Sequence, residues 1–224
     1  MDNAATRFVG REQMLDKCAK LLSTRWTFYK EGNMDKSVHA IGTLGGPSGI
    51  GKTRGLQEAT HVVDKFARKN PQVPWVAHVL ITYNSGHELS TDRQCLVSQE
   101  SAFALRVLYF AFQQYMPEQT VFALFVQKLL SKFGDAQSLE ALKTRAVLRA
   151  ITNIMNDAYH TQSSRDNPGI ICIGVDETNL LLEDGPSEHR FDRLRATLAI
   201  LQGLVTSTDR FFLFPMVAVT AVSP

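Results

Sequence analysis

The chain has 224 residues, of which 44% are hydrophobic. This length and composition suit one sizeable α/β domain better than two domains. Its 24 Lys and Arg residues nearly balance 22 Asp and Glu residues, so the net charge of +2 does not indicate a nucleic-acid or acidic-membrane partner. Cys18, Cys95 and Cys172 stand singly without metal-ligand spacing, which excludes a cysteine-based zinc motif and is typical of a reducing compartment.

A helix and a strand are predicted before a glycine-rich loop. Apolar residues recur at helical spacing over 11–22, and the apolar run Val38 to Leu44 predicts a strand. The run Gly46-Pro47-Ser48-Gly49-Ile50-Gly51-Lys52-Thr53 then fits GxxxxGK(S/T). A second helix is expected from about Gly51 towards Lys69, where Asn70-Pro71 stops it.

This loop, placed between a strand and a helix, is typical of phosphate binding. Glycines let successive backbone N–H groups point at phosphate oxygens, and the start of the helix adds the positive end of its dipole. Lys52 is expected to reach the β and γ phosphates, and the hydroxyl of Thr53 to ligate Mg²⁺. The sequence therefore predicts a binding site for ATP and Mg²⁺ in the segment Gly46 to Thr53.

The middle of the chain is predicted to hold one strand and then a helical insertion at about 100–160. The segment Trp75 to Tyr83 indicates a strand, and Asn84 to Gln99 is polar and loop-like. Three helical stretches follow, the first of them apolar around most of its circumference and therefore buried on more than one side. They are about Glu100 to Met116, Gln119 to Phe133 and Ser138 to His160.

A second candidate site follows the continuous apolar run Gly169 to Val175, which is typical of a strand covered on both faces in a parallel sheet. Asp176 and Glu177 come directly after it, at the sheet edge where ligands bind in open α/β folds. Asp176 is expected to hold Mg²⁺, commonly through water, and Glu177 to polarise the water that attacks the γ-phosphate. The alternative is a solvated turn that carries two acids by chance.

The last predicted elements are a helix from about Glu188 to Val205 and a strand from Phe211 to Val222. Thr220 is the first candidate, and Ser223 the second, for a hydroxyl that contacts the attacking water or the γ-phosphate; the alternative is a β-branched strand residue without a catalytic contact. The apolar stretch is too short to span a bilayer, and the amino terminus has no signal-peptide core. An intracellular protein of cytoplasm or nucleus, without a membrane partner, is expected.

Together with the loop and the Asp-Glu pair, Phe8-Val9-Gly10-Arg11-Glu12 resembles the segment that lines the adenine pocket in AAA+ and STAND ATPases. The resemblance implies a three-layer α/β fold with a mainly parallel P-loop sheet, in which the sensor strand lies between the phosphate-loop strand and the Asp176 strand. It also implies that Val9 and Gly10 contact the nucleotide. The helical lid of that class does not follow the sensor strand here, so residues 1–224 are predicted to form one P-loop core.

A finer resemblance is to the ATPase domain of crinkler-type proteins and their trypanosomatid relatives. It rests on Ile81-Thr82-Tyr83-Asn84-Ser85-Gly86, on Ala104-Leu105-Arg106-Val107-Leu108-Tyr109 and on Thr53-Arg54 after the lysine. This resemblance adds Arg54 to the expected nucleotide-binding residues. It does not assign an arginine finger, for which Arg54, Arg106, Arg190, Arg193 and Arg195 all stay candidates.

Three functional classes remain open from the sequence. The first is a Mg²⁺-dependent ATPase, or a switch operated by ATP, that uses Lys52, Thr53, Asp176 and Glu177. The second is a phosphotransferase in which an acid activates a substrate hydroxyl, and the third is a nucleotide-binding interaction module with little hydrolysis. A protein partner, a homo-oligomer and a nucleic acid are all compatible with the sequence.

Overall fold

The structure is a computed structural model that describes residues 11–47, 49–83, 98–117, 120–133, 136–181, 191–206 and 210–220. The strands in these ranges are β1 (Gly42–Gly46), β2 (Val76–Ile81), β3 (Gly169–Val175) and β4 (Phe211–Thr220). The α-helices are α1 (Arg11–Lys30), α2 (Lys52–Lys69), α3 (Gln99–Phe112), α4 (Phe122–Phe133), α5 (Ala136–Glu140), α6 (Thr144–Ala158) and α7 (Asp192–Val205). Short 3₁₀ helices span Gln113–Tyr115 and Thr178–Leu181.

The four strands form one sheet in the order β1-β4-β3-β2, and every neighbouring pair is parallel. The predicted α/β fold class with a parallel sheet is therefore confirmed. β4, the last strand along the chain, lies between β1 and β3, as the resemblance implied. In this register Gly46 pairs with Thr220 and Ile81 pairs with Val175, so the carboxyl ends of all four strands meet at one edge.

Helices cover both faces of the sheet, which explains why β3 is buried at all seven positions. One face packs on α1 and α2, with Trp26, Val63 and Phe214 among the buried side chains. The other face packs on α3, α6 and α7. A smaller apolar cluster joins α3 to α4 and α5, so α3 contacts apolar side chains on more than one side, as predicted.

Two predicted elements differ from the observed ones, the first because of a local turn and the second because of a tertiary contact. The strand expected from Val38 begins only at Gly42, because residues 35–39 form turns in which the N–H of Val38 donates to the carbonyl of Asp35 at 3.2 Å. The helix expected over 138–160 is divided into α5 and α6, because a carboxylate oxygen of Glu100 accepts a hydrogen bond from the N–H of Thr144 at 2.8 Å.

The remaining boundaries shift at element ends. α1 continues to Lys30 instead of ending near Leu22, since Arg25, Trp26 and Tyr29 extend its buried face. α3 begins at Gln99 with Ser98 as its N-cap, whose side chain accepts from the N–H of Ser101. Most of the polar loop predicted after β2 lies outside the described residues, as do residues 188–190 of the helix predicted before β4.

Candidate functional site

The glycine-rich loop joins β1 to α2 at the carboxyl edge of the sheet. Gly49 and Gly51 adopt left-handed φ angles of 83° and 81°, which residues with a Cβ rarely adopt. Gly51 is the N-cap of α2 and has no side chain to cap it, so the first N–H groups of α2 remain directed out of the helix into the loop. The geometry is that of an anion site at a helix N-terminus. Ser48 lies outside the described residues.

Lys52 folds back over this loop. Its Nζ donates hydrogen bonds to the carbonyl oxygens of Gly46, at 3.2 Å, and of Pro47, at 2.8 Å. These neutral acceptors hold the ammonium group within the curl of the loop. A phosphate oxygen is a stronger acceptor for an ammonium group than a peptide carbonyl is. An anion bound in the loop would therefore be a better partner for Lys52 than the two carbonyl oxygens.

Thr53, at the start of α2, and Asp176, directly after β3, come together at the sheet edge. The Thr53 hydroxyl donates to Oδ2 of Asp176, although 123 positions separate the two residues. Asp176 is only 7% exposed, and its backbone N–H donates to the carbonyl of Ile81 at 2.8 Å, which continues the β2–β3 ladder by one bond. A hydroxyl and a buried carboxylate side by side are oxygen ligands of the kind that Mg²⁺ prefers.

Glu177 occupies a tight turn directly after this carboxylate. Its φ angle is 53°, in the left-handed region that is uncommon for a residue with a long side chain. Its N–H donates to Oδ1 of Asp176 at 2.9 Å, and the next residue, Thr178, donates its hydroxyl to the carbonyl of Ala218 at 2.7 Å. The turn is thus tied both to Asp176 and to β4.

The other predicted site residues are placed only in part. The backbone of Thr220 ends β4 beside Gly46, so the strand reaches the phosphate loop. Val9, Gly10 and Ser223 lie outside the described residues, and their roles stay predictions. Ile50 is exposed at the tip of the loop, where its side chain also packs against Gly46: a Cβ on Gly46 would lie 2.1 Å from Cδ1 of Ile50.

The arginine candidates differ in their surroundings. Arg54 is exposed on the first turn of α2 and forms an ion pair with Glu58 at 3.7 Å, whereas Arg106 is fully buried between the rings of Tyr83 and Phe122. Arg195, in α7, pairs with Asp192 at 3.8 Å. Burial keeps Arg106 away from a phosphate, while the role of Arg54 stays a prediction.

A cavity of about 470 Å³ adjoins the loop between α1, β1 and the start of α2. Apolar side chains of Met14, Leu21 and Met216 line it, and Gln13 and Lys17 contribute polar groups. The helical spacing of apolar residues over 11–22 predicted a helix but did not indicate this cavity. The signal for it was indirect: Gly45 on β1 lines the cavity, and a Cβ at this position would meet no atom within 4 Å.

No protein-family model and no curated protein match the chain. Among solved structures, the Aeropyrum pernix ORC2 protein, determined as ADPNP-ADP complexes, is similar over 95% of this chain with a TM-score of 0.45 and 13% sequence identity. The chain spans 41% of the length of that protein. The resemblance to crinkler-type ATPase domains finds no support in these comparisons and stays a prediction.

In the part of the chain that the structure describes, no helix has both the length and the hydropathy needed to cross a membrane. Within the same ranges, no group of three or more His, Cys, Asp and Glu side chains is arranged to hold a metal ion. A Mg²⁺ ion bound through nucleotide phosphates needs only one or two protein ligands, which fits the pair Thr53 and Asp176.

Proposed function

We propose that the chain is an AAA+/STAND-like P-loop core that binds ATP with Mg²⁺ and hydrolyses it. The observation that carries the proposal is the hydrogen bond between Thr53, at the end of the phosphate loop, and the buried carboxylate of Asp176. Two sequence motifs with complementary chemistry, separated by most of the chain, are joined at the edge of the sheet where ligands bind in parallel α/β folds. A glycine-rich surface turn without a binding role would not require a hydrogen bond to a buried carboxylate.

In the proposed complex, the phosphates lie against the backbone N–H groups at the start of α2, with Gly49 and Gly51 holding the curl. Lys52 exchanges its carbonyl acceptors for β- and γ-phosphate oxygens. The cavity beside α1 has the mostly apolar lining and few polar groups suited to a nucleoside. We propose ATP over GTP because the sequence has no Asn-Lys-x-Asp segment of the kind that reads guanine.

Mg²⁺ would be held by the hydroxyl of Thr53 and, directly or through water, by Asp176. The bound ion supplies charge neutralisation between the β and γ phosphates. Asp176 suits this role because it is buried and already aligned by its backbone bond to Ile81, so little reorganisation is needed when the ion arrives.

Glu177 is the proposed general base. Its carboxylate would accept a proton from the attacking water while a new P–O bond forms and the bond from the γ-phosphorus to ADP breaks. Thr220, at the end of β4, is the proposed sensor of the γ-phosphate, with its strand adjacent to the phosphate loop. Arg54 stays a proposed phosphate contact, on the first turn of α2.

A second candidate is a nucleotide-binding module that hydrolyses slowly until a partner completes the site. The observation that favours it is that Arg106 is buried between aromatic rings and that Arg54 and Arg195 already form ion pairs with Glu58 and Asp192. A protein partner or a second copy of the chain would then supply an arginine finger. A phosphotransferase is the third alternative, in which Glu177 activates a substrate hydroxyl.

The decisive experiment measures phosphate released from ATP by the purified protein with Mg²⁺, beside Glu177→Gln. Loss of the general base should lower turnover by about a hundredfold or more while ATP still binds. Glu31→Gln, an exposed acid after α1, is the control and should turn over normally. Bound ATP without turnover in any variant would favour the second candidate, phosphate on an acceptor would favour the third, and no ATP binding would reject the site.

A further inference from the structure

Thr178 follows the proposed catalytic turn and has no exposed surface. It begins the short 3₁₀ helix Thr178–Leu181, and its hydroxyl donates to the carbonyl oxygen of Ala218 on β4 at 2.7 Å. A valine in this place would fill nearly the same volume. Threonine therefore differs from valine at this position mainly by the hydroxyl and its hydrogen bond to Ala218.

The bond lies where the sheet ladder between β3 and β4 ends. The last paired residues are Val175 and Val217, and Ala218 is the next residue along β4. Val175 is the last residue of β3 that pairs with β4, and the chain then leaves the sheet through Asp176 and Glu177. The hydroxyl of Thr178 donates to the carbonyl of Ala218, a buried acceptor, and so links the turn to β4 beyond the last β3–β4 pair.

Glu177 is held between two anchored neighbours. On one side, the N–H of Asp176 donates to Ile81 on β2; on the other, the hydroxyl of Thr178 donates to Ala218 on β4. Between them, Glu177 has a φ angle of 53°. A left-handed conformation of such a residue costs about 1–3 kcal/mol and persists only where the surrounding structure fixes it.

We propose that Thr178 is a positioning residue that fixes the left-handed turn of Glu177 and thereby aims the Glu177 carboxylate at the attacking water. The inference rests on the proposed function for the role of Glu177. Thr178 also joins the turn to β4 two residues before Thr220, so the base and the proposed sensor share one support. Without the hydroxyl bond, the turn keeps its volume but loses its attachment to β4.

The test compares Thr178→Val, Thr178→Ser and the control Thr152→Val. Thr152 is also buried, and its hydroxyl also donates to a carbonyl, that of Leu148 at 2.8 Å, but within α6 and away from the loop. Thr178→Val should lower kcat by about tenfold or more, because small displacements of a catalytic group are costly, while ADP affinity changes by less than about threefold. Thr178→Ser should recover kcat to within about threefold, and Thr152→Val should leave it unchanged.

Unchanged kcat in Thr178→Val, or an equal fall in Thr152→Val, would overturn the proposal. Hydrogen exchange at the amides of residues 176–181 gives a readout that needs no turnover. Thr178→Val should accelerate exchange there, Thr178→Ser should restore protection, and Thr152→Val should have no effect at these amides. If the unmodified protein releases no phosphate, the proposed hydrolysis fails on its own account; if it turns over and exchange is unaffected by Thr178→Val, the positioning role fails alone.

Discussion

The hydroxyl of Thr53 donates a hydrogen bond to Oδ2 of Asp176, and this bond joins the start of α2 to the end of β3. Both ends are fixed independently: Thr53 by the first turn of a helix, and Asp176 by its backbone bond to Ile81 on β2. The positions of α2 and of β3 at the sheet edge therefore bring the hydroxyl and the carboxylate together without a bound ligand. A preformed hydroxyl and carboxylate reduce the reorganisation that binding of Mg²⁺ and nucleotide would require.

Removing either member of this pair should weaken the Mg²⁺ dependence of ATP binding. For Thr53→Val and Asp176→Asn, the ratio of ATP affinities measured with Mg²⁺ and with EDTA should fall towards one, because a ligand of the ion is lost. The double variant should show a coupling of about 0.5–3 kcal/mol relative to the sum of the single changes, since the residues are in contact.

Asp166→Asn is the matched control, because Asp166 is an exposed acid in the turn before β3. This variant should keep the affinity ratio of the unmodified protein. Strictly additive effects of Thr53→Val and Asp176→Asn would show that the two residues act separately, and an unaltered ratio in both would remove them from the Mg²⁺ site.

Lys52→Ala should weaken ATP binding by about tenfold or more, equivalent to about 1.4 kcal/mol, because the charged contact to the phosphates is lost. Lys65→Ala is the control, an exposed lysine farther along the same helix. Titration calorimetry with ATP and with adenosine separates the causes: adenosine binding should be unaffected by Lys52→Ala. Equal ATP affinity in the two variants would contradict the assignment of the loop.

Local sequence pattern was sufficient for the parts of the fold whose signals lie close together in the chain. Seven consecutive apolar residues from Gly169 to Val175 predicted a strand buried on both faces, and the structure has that strand with those bounds. The glycine-rich motif likewise placed the loop between β1 and α2. A strand that is buried on both faces is apolar at every position, so a short run of consecutive residues is enough to predict it.

One local turn and two distant contacts decided what the hydrophobic pattern missed. The run from Val38 looked like a strand, but the Asp35 carboxylate accepts from the N–H of Ser37 at 2.8 Å and starts a turn instead. The break between α5 and α6 depends on Glu100, which is 44 positions from Thr144. Thr178 was overlooked for the same reason, since the carbonyl that it binds is 40 positions away. Hydrophobic periodicity within a short stretch of sequence does not indicate hydrogen bonds between residues 40 or 44 positions apart.

A methyl group added at Gly169 should destabilise the fold through Trp75. A Cβ at this position would lie 2.2 Å from ring atoms of Trp75, whose indole Nε1–H donates to Asn156 at 2.8 Å and so resists displacement. Gly169→Ala should lower the free energy of unfolding by about 1–3 kcal/mol, as overpacking does. Gly203→Ala, in α7, meets no atom within 4 Å and should raise it by about 0.5–1 kcal/mol.

Urea unfolding followed by tryptophan fluorescence measures both effects. Gly169→Ala should also shift the native emission spectrum, because Trp75 is 3% exposed and must move, whereas Gly203→Ala should leave the spectrum unchanged. If the two variants changed stability in the same direction, the close contact between Gly169 and Trp75 would not be the cause.

The buried thiol of Cys18 should make the fold less stable at alkaline pH. Burial raises the pKa of Cys18 from 9.0 to about 11, because the thiolate is poorly solvated in the interior. A folded-state pKa above the unfolded one means that the contribution to stability is complete below pH 9 and is lost as the pH rises towards 11. The fall in unfolding free energy from pH 8 to pH 10.5 should therefore be smaller in Cys18→Ala, by about 2 kcal/mol at most. Since lysines and tyrosines titrate in the same range, the comparison must be between the two proteins, and parallel pH profiles would contradict the assignment.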